Sequence, residues 1–261
     1  MTEGNGCLMA DRVIHMTSGT VHEQIEVIER GRVRYLRFGA GGGWQGAMHL
    51  AGARRPVFPY QRAFAAVAES RSMQSFLALG VGSGTALSVV RALHPDCEMF
   101  GLELDEQVIR IAIEYFGAPS HRDVSYWVGD GVAFLCHTDV TVDTLFVDAY
   151  LSNRIYSPCL DPAFAKVVAA ATTADGVAVM NFITSFPLRG RVLEWIRAAQ
   201  SWFESIALLP VGPALPFAEQ NVLGVFAKTR DYPLIWRASL KSSSFLQPWE
   251  RLWWPRRMRQ W

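Results

Sequence analysis

From Phe76 onward, short apolar segments alternate with stretches in which apolar residues recur at helical spacing. The segments predicted as strands are FLALGV, CEMFGLEL, VSYWVG, DTLFVDA and GVAVMNFI, and the helices are predicted near 84–94, 105–116, 130–137, 161–173 and 188–203. Strands that are apolar throughout are typical of a parallel sheet, because helices cover both of its faces. The sequence therefore predicts an α/β fold with a doubly wound, mostly parallel sheet. SIALLPV and NVLGVFAK follow as candidate antiparallel edge strands.

A smaller β region is predicted before this domain. The segment HEQIEVIERGRVRYLRFG predicts two strands joined at Glu29-Arg30-Gly31, and the glycine-rich and proline-rich AGGGWQGAMHLAGARRPVFP predicts a loop. A helix is expected from Tyr60 to about Met73. The expected organisation is a flexible leader (1–20), an N-terminal β region (21–58), an α/β domain (59–235) and a basic, tryptophan-rich C-terminal tail (236–261).

Composition argues against several classes of protein. The 261 residues include 25 basic and 24 acidic side chains, so a net charge of +1 gives no field that would attract nucleic acid. No apolar run has the length of a signal peptide or a membrane span, and the four cysteines and six histidines show no metal-ligand spacing. We expect a cytoplasmic protein without a metal site, a nucleic-acid partner or stable membrane association. The tail QPWERLWWPRRMRQW could lie on a membrane or RNA, or dock on the protein itself or on a second subunit.

A glycine turn follows the first strand of the domain. In LALGVGSGTAL, Gly80, Gly82 and Gly84 separate the strand from the next helix. Such a turn lets the backbone approach a ligand closely, although a tight turn without a ligand is the alternative. The stretch lacks the lysine of a phosphate-binding P-loop, and it does not match the GxGxxG nucleotide pattern.

Acidic residues end the next three strands. Glu103 in LELD, Asp130 in VGDG and Asp148 in FVDAY would meet at the carboxyl edge of the sheet, where open α/β folds bind ligands. Singly, Asp105 or Asp130 could instead cap a helix. The set favours a ligand that bears adenosine, and carboxylates suit a sulfonium cation better than a pyrophosphate.

These motifs, in this order, resemble the spermidine synthase (polyamine aminopropyltransferase) family within the S-adenosylmethionine-dependent methyltransferase-like fold. The resemblance runs from about Ile25 to Lys228. It rests on VRYLRFG, WQGAMHL, FPYQRAFA, LALGVGSGTALSVV, GLELDEQVIRIAIEYFG, VGDGVAFL and TLFVDAY. It implies a homodimer and a small-molecule acceptor.

The resemblance also implies roles for particular residues. The cofactor-binding positions would be Gln45, Gly80, Gly82, Ser83, Gly84, Glu103, Asp130, Gly131 and Asp148. Asp148 would orient the nucleophile or accept its proton, and Tyr60 and Tyr150 would shape the pocket. Tyr150 could equally be an aromatic lid.

The sequence departs from the family where a polyamine would bind. Ser83 replaces an aspartate of the glycine turn, Leu151 replaces the second aspartate of the catalytic loop, and Gln61-Arg62 replaces His-Glu. Arg54, Arg55 and Arg62 could hold an acceptor carboxylate or phosphate, or could face solvent.

We therefore expect transfer of a methyl group, or another sulfonium substituent, from intact S-adenosylmethionine to a small molecule. One alternative is aminopropyl transfer from decarboxylated S-adenosylmethionine to an amine. The other is a cofactor-binding protein without catalysis.

Overall fold

The computed structural model describes residues 11–52, 55–151, 154–213, 215 and 217–261. The chain begins with a four-stranded antiparallel sheet in the order β1-β2-β3-β4. Its strands are β1 (Arg12–Thr17), β2 (Ile25–Arg30), β3 (Val33–Phe38) and β4 (Trp44–His49). The hairpin predicted around Glu29-Arg30-Gly31 is confirmed as β2 and β3.

Two segments of this sheet correct the sequence reading. Residues 12–17 were expected in a flexible leader, but they pair with β2; residues 1–10 lie outside the described part of the chain. Residues 44–49 were expected in a loop because of their glycines, but they pair with β3. Position 46 of β4 is a glycine because Ser83 lies against it, and a Cβ there would collide with the Ser83 hydroxyl.

The second sheet confirms the predicted α/β fold. Its eight strands run in the order β14-β12-β13-β11-β8-β5-β6-β7. Their bounds are β5 (Ser75–Leu79), β6 (Glu98–Glu103), β7 (Ser125–Val128), β8 (Val142–Val147), β11 (Thr172–Ser185), β12 (Ser205–Pro210), β13 (Glu219–Ala227) and β14 (Arg259–Gln260). The five strands from β11 to β7 pair in parallel, and β13, β12 and β14 extend them antiparallel. A small hairpin, β9 (Tyr150–Leu151) and β10 (Arg154–Ile155), follows β8.

Helices cover both faces of this sheet. They are α1 (Pro59–Glu69), α2 (Thr85–Leu93), α3 (Glu106–Phe116), α4 (Gly131–Cys136), α5 (Phe164–Ala170), α6 (Gly190–Ala199), α7 (Tyr232–Ser242) and α8 (Pro248–Arg257), with a 3₁₀ turn at Ser157–Leu160. Alternate residues of β5 enter opposite cores, because strand side chains alternate between faces. Phe76 packs with Phe64 and Trp236 on one face, while Leu77 packs with Trp195 on the other. Within the described ranges, no helix is long and apolar enough to cross a bilayer.

The C-terminal tail is folded rather than extended. It contains α8 and most of α7, and β14 pairs with the outer strand β12. Trp236 and Trp254 are fully buried against the core, so docking on the protein's own surface accounts for two tail tryptophans. Trp249, Trp253 and Trp261 remain exposed.

Candidate functional site

A cavity of about 560 Å³ lies at the carboxyl ends of the parallel strands. This volume is in the range of small-molecule sites, which are about 300–1,000 Å³. It is closed on one side by the N-terminal sheet, which contributes Phe38, Trp44 and Gln45. Ten predicted site residues line it: Gln45, Tyr60, Gly80, Gly82, Ser83, Glu103, Asp130, Gly131, Asp148 and Tyr150.

The glycine turn brings its own backbone close to the chain segment that follows β8. Gly80 has a φ of +92°, and a Cβ there would collide with the backbone carbonyl of Asp148. Gly84 was also predicted to bind the cofactor, but it is not among the cavity-lining residues. It begins α2 with a φ of +71° and packs against Ala118.

A substitution at Gly80 tests this close approach. We expect Gly80→Ala to disrupt the turn, because the methyl group meets backbone that cannot move aside and the positive φ adds a cost of about 1–2 kcal/mol. Gly39→Ala is the matched control, since Gly39 has a φ of +72° with open space around it. Binding of S-adenosylmethionine or its decarboxylated form, measured by calorimetry, should fall in Gly80→Ala and be unchanged in Gly39→Ala. Equal binding by both variants would contradict the close approach.

Glu103 organises the glycine turn through its own carboxylate. One oxygen accepts the backbone N–H groups of Val81 at 3.0 Å and Gly82 at 3.2 Å. The other accepts those of Leu104 at 2.7 Å and Asp105 at 3.4 Å. Burial raises the pKa of Glu103, and these hydrogen bonds act in the opposite direction. The carboxylate that was predicted to bind the cofactor therefore also fixes the backbone of the glycine turn.

Asp105 and Asp130 both cap helices. Asp105 accepts the N–H of Gln107 at the start of α3, and also those of Val21 and His22, which ties the N-terminal sheet to the α/β domain. Asp130 accepts the N–H groups of Val132 and Ala133 through one oxygen. Its other oxygen accepts the Tyr156 hydroxyl at 2.7 Å. The capping role is thus present at both residues, and cofactor binding by Asp130 stays a prediction.

Asp148 lies at the centre of a polar network. It accepts the side-chain amide of Asn181 at 2.8 Å, and Asn181 accepts that of Asn221 at 3.0 Å. Burial raises the pKa of Asp148 to about 6, although hydrogen bonds from Asn181 and Tyr60 oppose the shift. A carboxyl group with this pKa is ionised at neutral pH and can still accept a proton.

The two predicted tyrosines have different partners. The Tyr60 hydroxyl interacts with Asp148, and Gln61 donates to that hydroxyl at 3.3 Å. Burial raises the pKa of Tyr60 well above its usual value, and the Asp148 charge adds to this shift. Tyr150 donates to the backbone carbonyl of Asn181 at 2.7 Å, so its ring is fixed as part of the wall.

The arginines expected near an acceptor anion lie elsewhere. Arg62 is buried in an ion pair with Glu250 of α8, and Arg55 donates to the backbone of Phe245. Arg54 lies outside the described residues. Among the described residues that line the cavity, four are acidic (Glu103, Asp130, Asp148 and Glu219), and none is lysine or arginine. An anionic acceptor therefore has no arginine or lysine partner in the described part of this wall.

Several lining residues were missed from the sequence. These are His22, Gln61, Tyr156, Asn181, Glu219 and Asn221. A signal existed for Asn181, since it is a lone amide in the apolar strand GVAVMNFI. The others reach the site only through the pairing of distant segments. No group of three or more acidic, histidine or cysteine side chains within the described ranges is arranged to hold a metal ion.

Comparison with known proteins finds similarity to a polyamine aminopropyl transferase and to spermidine synthases. No protein-family model matches it. Over 122 residues it is 31% identical to a probable polyamine aminopropyl transferase of Bifidobacterium longum (strain NCC 2705); this match covers 47% of the chain but only 27% of that relative's length.

Solved structures show the same fold. The probable spermidine synthase of Corynebacterium glutamicum ATCC 13032 superimposes with a TM-score of 0.73 at 18% identity, over 89% of this chain and 88% of that one. A spermidine synthase in complex with the transition-state analogue AdoDATO gives a TM-score of 0.67 at 15% identity, over 89% and 80%. These findings confirm the predicted fold and the predicted relationship.

Proposed function

We propose that this chain belongs to the spermidine synthase-like (polyamine aminopropyltransferase) family and transfers an aminopropyl group from decarboxylated S-adenosylmethionine to an amine. The names of its relatives support this reaction over methyl transfer from intact S-adenosylmethionine, which the sequence alone had favoured. The alternative drawn from the sequence thus becomes the leading function.

The charge of the cavity wall is the observation that carries this proposal. Four carboxylic acids and no arginine or lysine are found among its described lining residues. An amine acceptor and a sulfonium donor are both cations, so carboxylates compensate their loss of hydration. Burial lowers the pKa of His22, against the opposing charge of Asp105, so the histidine that lines this wall adds little positive charge near neutral pH.

The donor end of the cavity gives the same preference. Intact S-adenosylmethionine carries a carboxylate. At 4 Å from a carboxylate of the cavity wall, the repulsion between the two groups would cost about 4 kcal/mol at an effective dielectric constant of 20. No lysine or arginine among the described lining residues offsets this repulsion. The decarboxylated donor lacks that charge. The glycine turn and the shape of the cavity suit the adenosine part, which both donors share.

The chain's residues would act by orientation and proton transfer. When bound, the donor supplies a carbon activated by its positive sulfur. The amine nitrogen forms a bond to that carbon, the carbon–sulfur bond breaks with its electrons on sulfur, and neutral methylthioadenosine leaves. Asp148 accepts the proton that the nitrogen loses. Tyr60 and Asn181 hold this carboxylate in place.

One feature favours methyl transfer as a second candidate. Ser83 is nearly fully buried beside Gly46, and its hydroxyl lies 3.0 Å from that of Thr85. A neutral serine at this turn gives no carboxylate to pair with the donor's amino group, and it tolerates the carboxylate of intact S-adenosylmethionine.

Product analysis distinguishes the two reactions. The purified protein is incubated with either donor and a panel of monoamines, diamines and polyamines, and nucleosides are identified by mass spectrometry. We expect methylthioadenosine, formed only with the decarboxylated donor and an amine. Adenosylhomocysteine from the intact donor would establish the second candidate instead. The absence of both products would contradict catalysis and favour a cofactor-binding protein.

A further inference from the structure

Glu219 is an acidic residue of the cavity wall that takes no part in the proton transfer assigned to Asp148. It is the first residue of β13, it is exposed, and it lines the cavity that contains Asp148. Within the described part of the chain, Glu219 makes no ion pair. Its charge is therefore available to a ligand at the cavity mouth.

Two hydrogen-bonded asparagines lie on the wall between Glu219 and Asp148. Asn181 donates to Asp148, and Asn221 donates to Asn181. Glu219 precedes Asn221 by two residues on β13, and both line the cavity, so they share one face of the strand. Two residues of a strand span about 7 Å. The two carboxylates therefore stand at opposite ends of one wall.

The surface beside these asparagines is largely apolar. Leu151, Tyr150 and Ile183 line the same cavity. Leu151 occupies the position at which the related catalytic loop was expected to carry a second aspartate. The wall thus presents a carboxylate, an apolar surface and a second carboxylate. Two ammonium groups joined by a hydrocarbon chain have the complementary pattern.

We propose that Glu219 determines acceptor specificity by binding the second ammonium group of a diamine or longer polyamine, while the first nitrogen, as the amine beside Asp148, attacks the donor carbon. This inference rests on the proposed aminopropyl transfer. In this arrangement, Glu219 of β13 supplies, at the other end of the wall, the negative charge that position 151 lacks.

Paired amines of equal chain length test this role. Glu219→Gln removes the charge and keeps the shape, and Glu204→Gln, which breaks a surface ion pair with Arg230, is the matched control. We expect Glu219→Gln to raise the KM for a diamine roughly two- to fivefold, the effect of losing one exposed ion pair. The KM for the monoamine should change much less than that for the diamine, and Glu219→Asp should restore part of the diamine preference.

Calorimetry without donor separates this inference from the proposed reaction. We expect wild-type protein to bind the diamine more tightly than the monoamine and Glu219→Gln to lose that preference, whether or not turnover is seen. An unchanged diamine affinity in Glu219→Gln, or an equal loss for both amines, would overturn the role of Glu219. Diamine preference together with a failure to form methylthioadenosine would instead overturn the reaction alone.

Discussion

Replacing Asp148 by asparagine is expected to lower kcat by about 10²- to 10⁴-fold, the usual contribution of a positioned proton acceptor. The asparagine has nearly the same shape, but it cannot take the proton that the attacking amine loses. Donor affinity should change little, because the glycine turn and Glu103 remain. Single-turnover kinetics and donor calorimetry measure the two effects separately.

Asp143 provides the matched control, because it lies near the start of β8, the strand that ends directly before Asp148. Its carboxylate accepts the backbone N–H groups of Gln74 at 2.7 Å and Ser75 at 3.1 Å, so its role is structural. Asp143→Asn should retain the wild-type kcat. An unaltered kcat in Asp148→Asn would reject the role of Asp148 as proton acceptor.

The same carboxyl group predicts the pH dependence. Because the pKa of Asp148 is raised to about 6, activity should rise with pH through 6 as the proton acceptor becomes ionised. The folded state binds this proton more tightly than the unfolded chain, so stability is lost as pH rises from about 4 to 6. Asp148→Asn should lack both transitions, and at pH 7–8 it should be more stable than wild type by roughly 1–3 kcal/mol. Denaturant titrations at pH 4 and 8 compare the two proteins.

Breaking the buried Arg62–Glu250 pair should destabilise the protein by about 3–5 kcal/mol, because one charge is then left buried without its partner. Glu250 is fully buried, and its carboxylate lies 2.5 Å from the Arg62 guanidinium and accepts the Gln247 N–H at 2.8 Å. The pair joins α8 to α1, the helix that carries Tyr60. Glu250→Gln should therefore lower the Tm and also weaken the positioning of Tyr60.

A surface pair gives the contrast for this substitution. Glu106 and Arg110 are one helical turn apart, 2.7 Å from each other, and more than half exposed. Glu106→Gln should cost less than about 1 kcal/mol. Chemical denaturation of the two variants measures the difference. Equally small losses would show that the buried pair contributes no more than the exposed one.

The sequence predicted the α/β fold because its periodicity is local. The strands around Leu77, Leu102 and Phe146 are apolar throughout, and the helices between them are amphipathic, so burial on both sheet faces was the consistent solution. Glu103, Asp130 and Asp148 were also found in this way, since strand ends of a parallel sheet meet at one edge. Gln45 and Tyr60 were expected only from the family resemblance. The segments that failed were those whose stability comes from pairing: β1, β4 and the C-terminal helices.

The amino-acid pattern thus determined the sheet, its helices and the acids that end its strands, because each depends on neighbours within a few residues. The tertiary structure alone decided the charge of the cavity. It buried Arg62 against Glu250, 188 residues away, and thereby kept from the wall a cation that the sequence had left as one candidate partner of the acceptor. It also brought Asn181, Asn221 and Glu219 to Asp148 through the pairing of β11 with β8 and β13. Electrostatics depends on which side chains meet in space, and sequence separation does not specify those contacts.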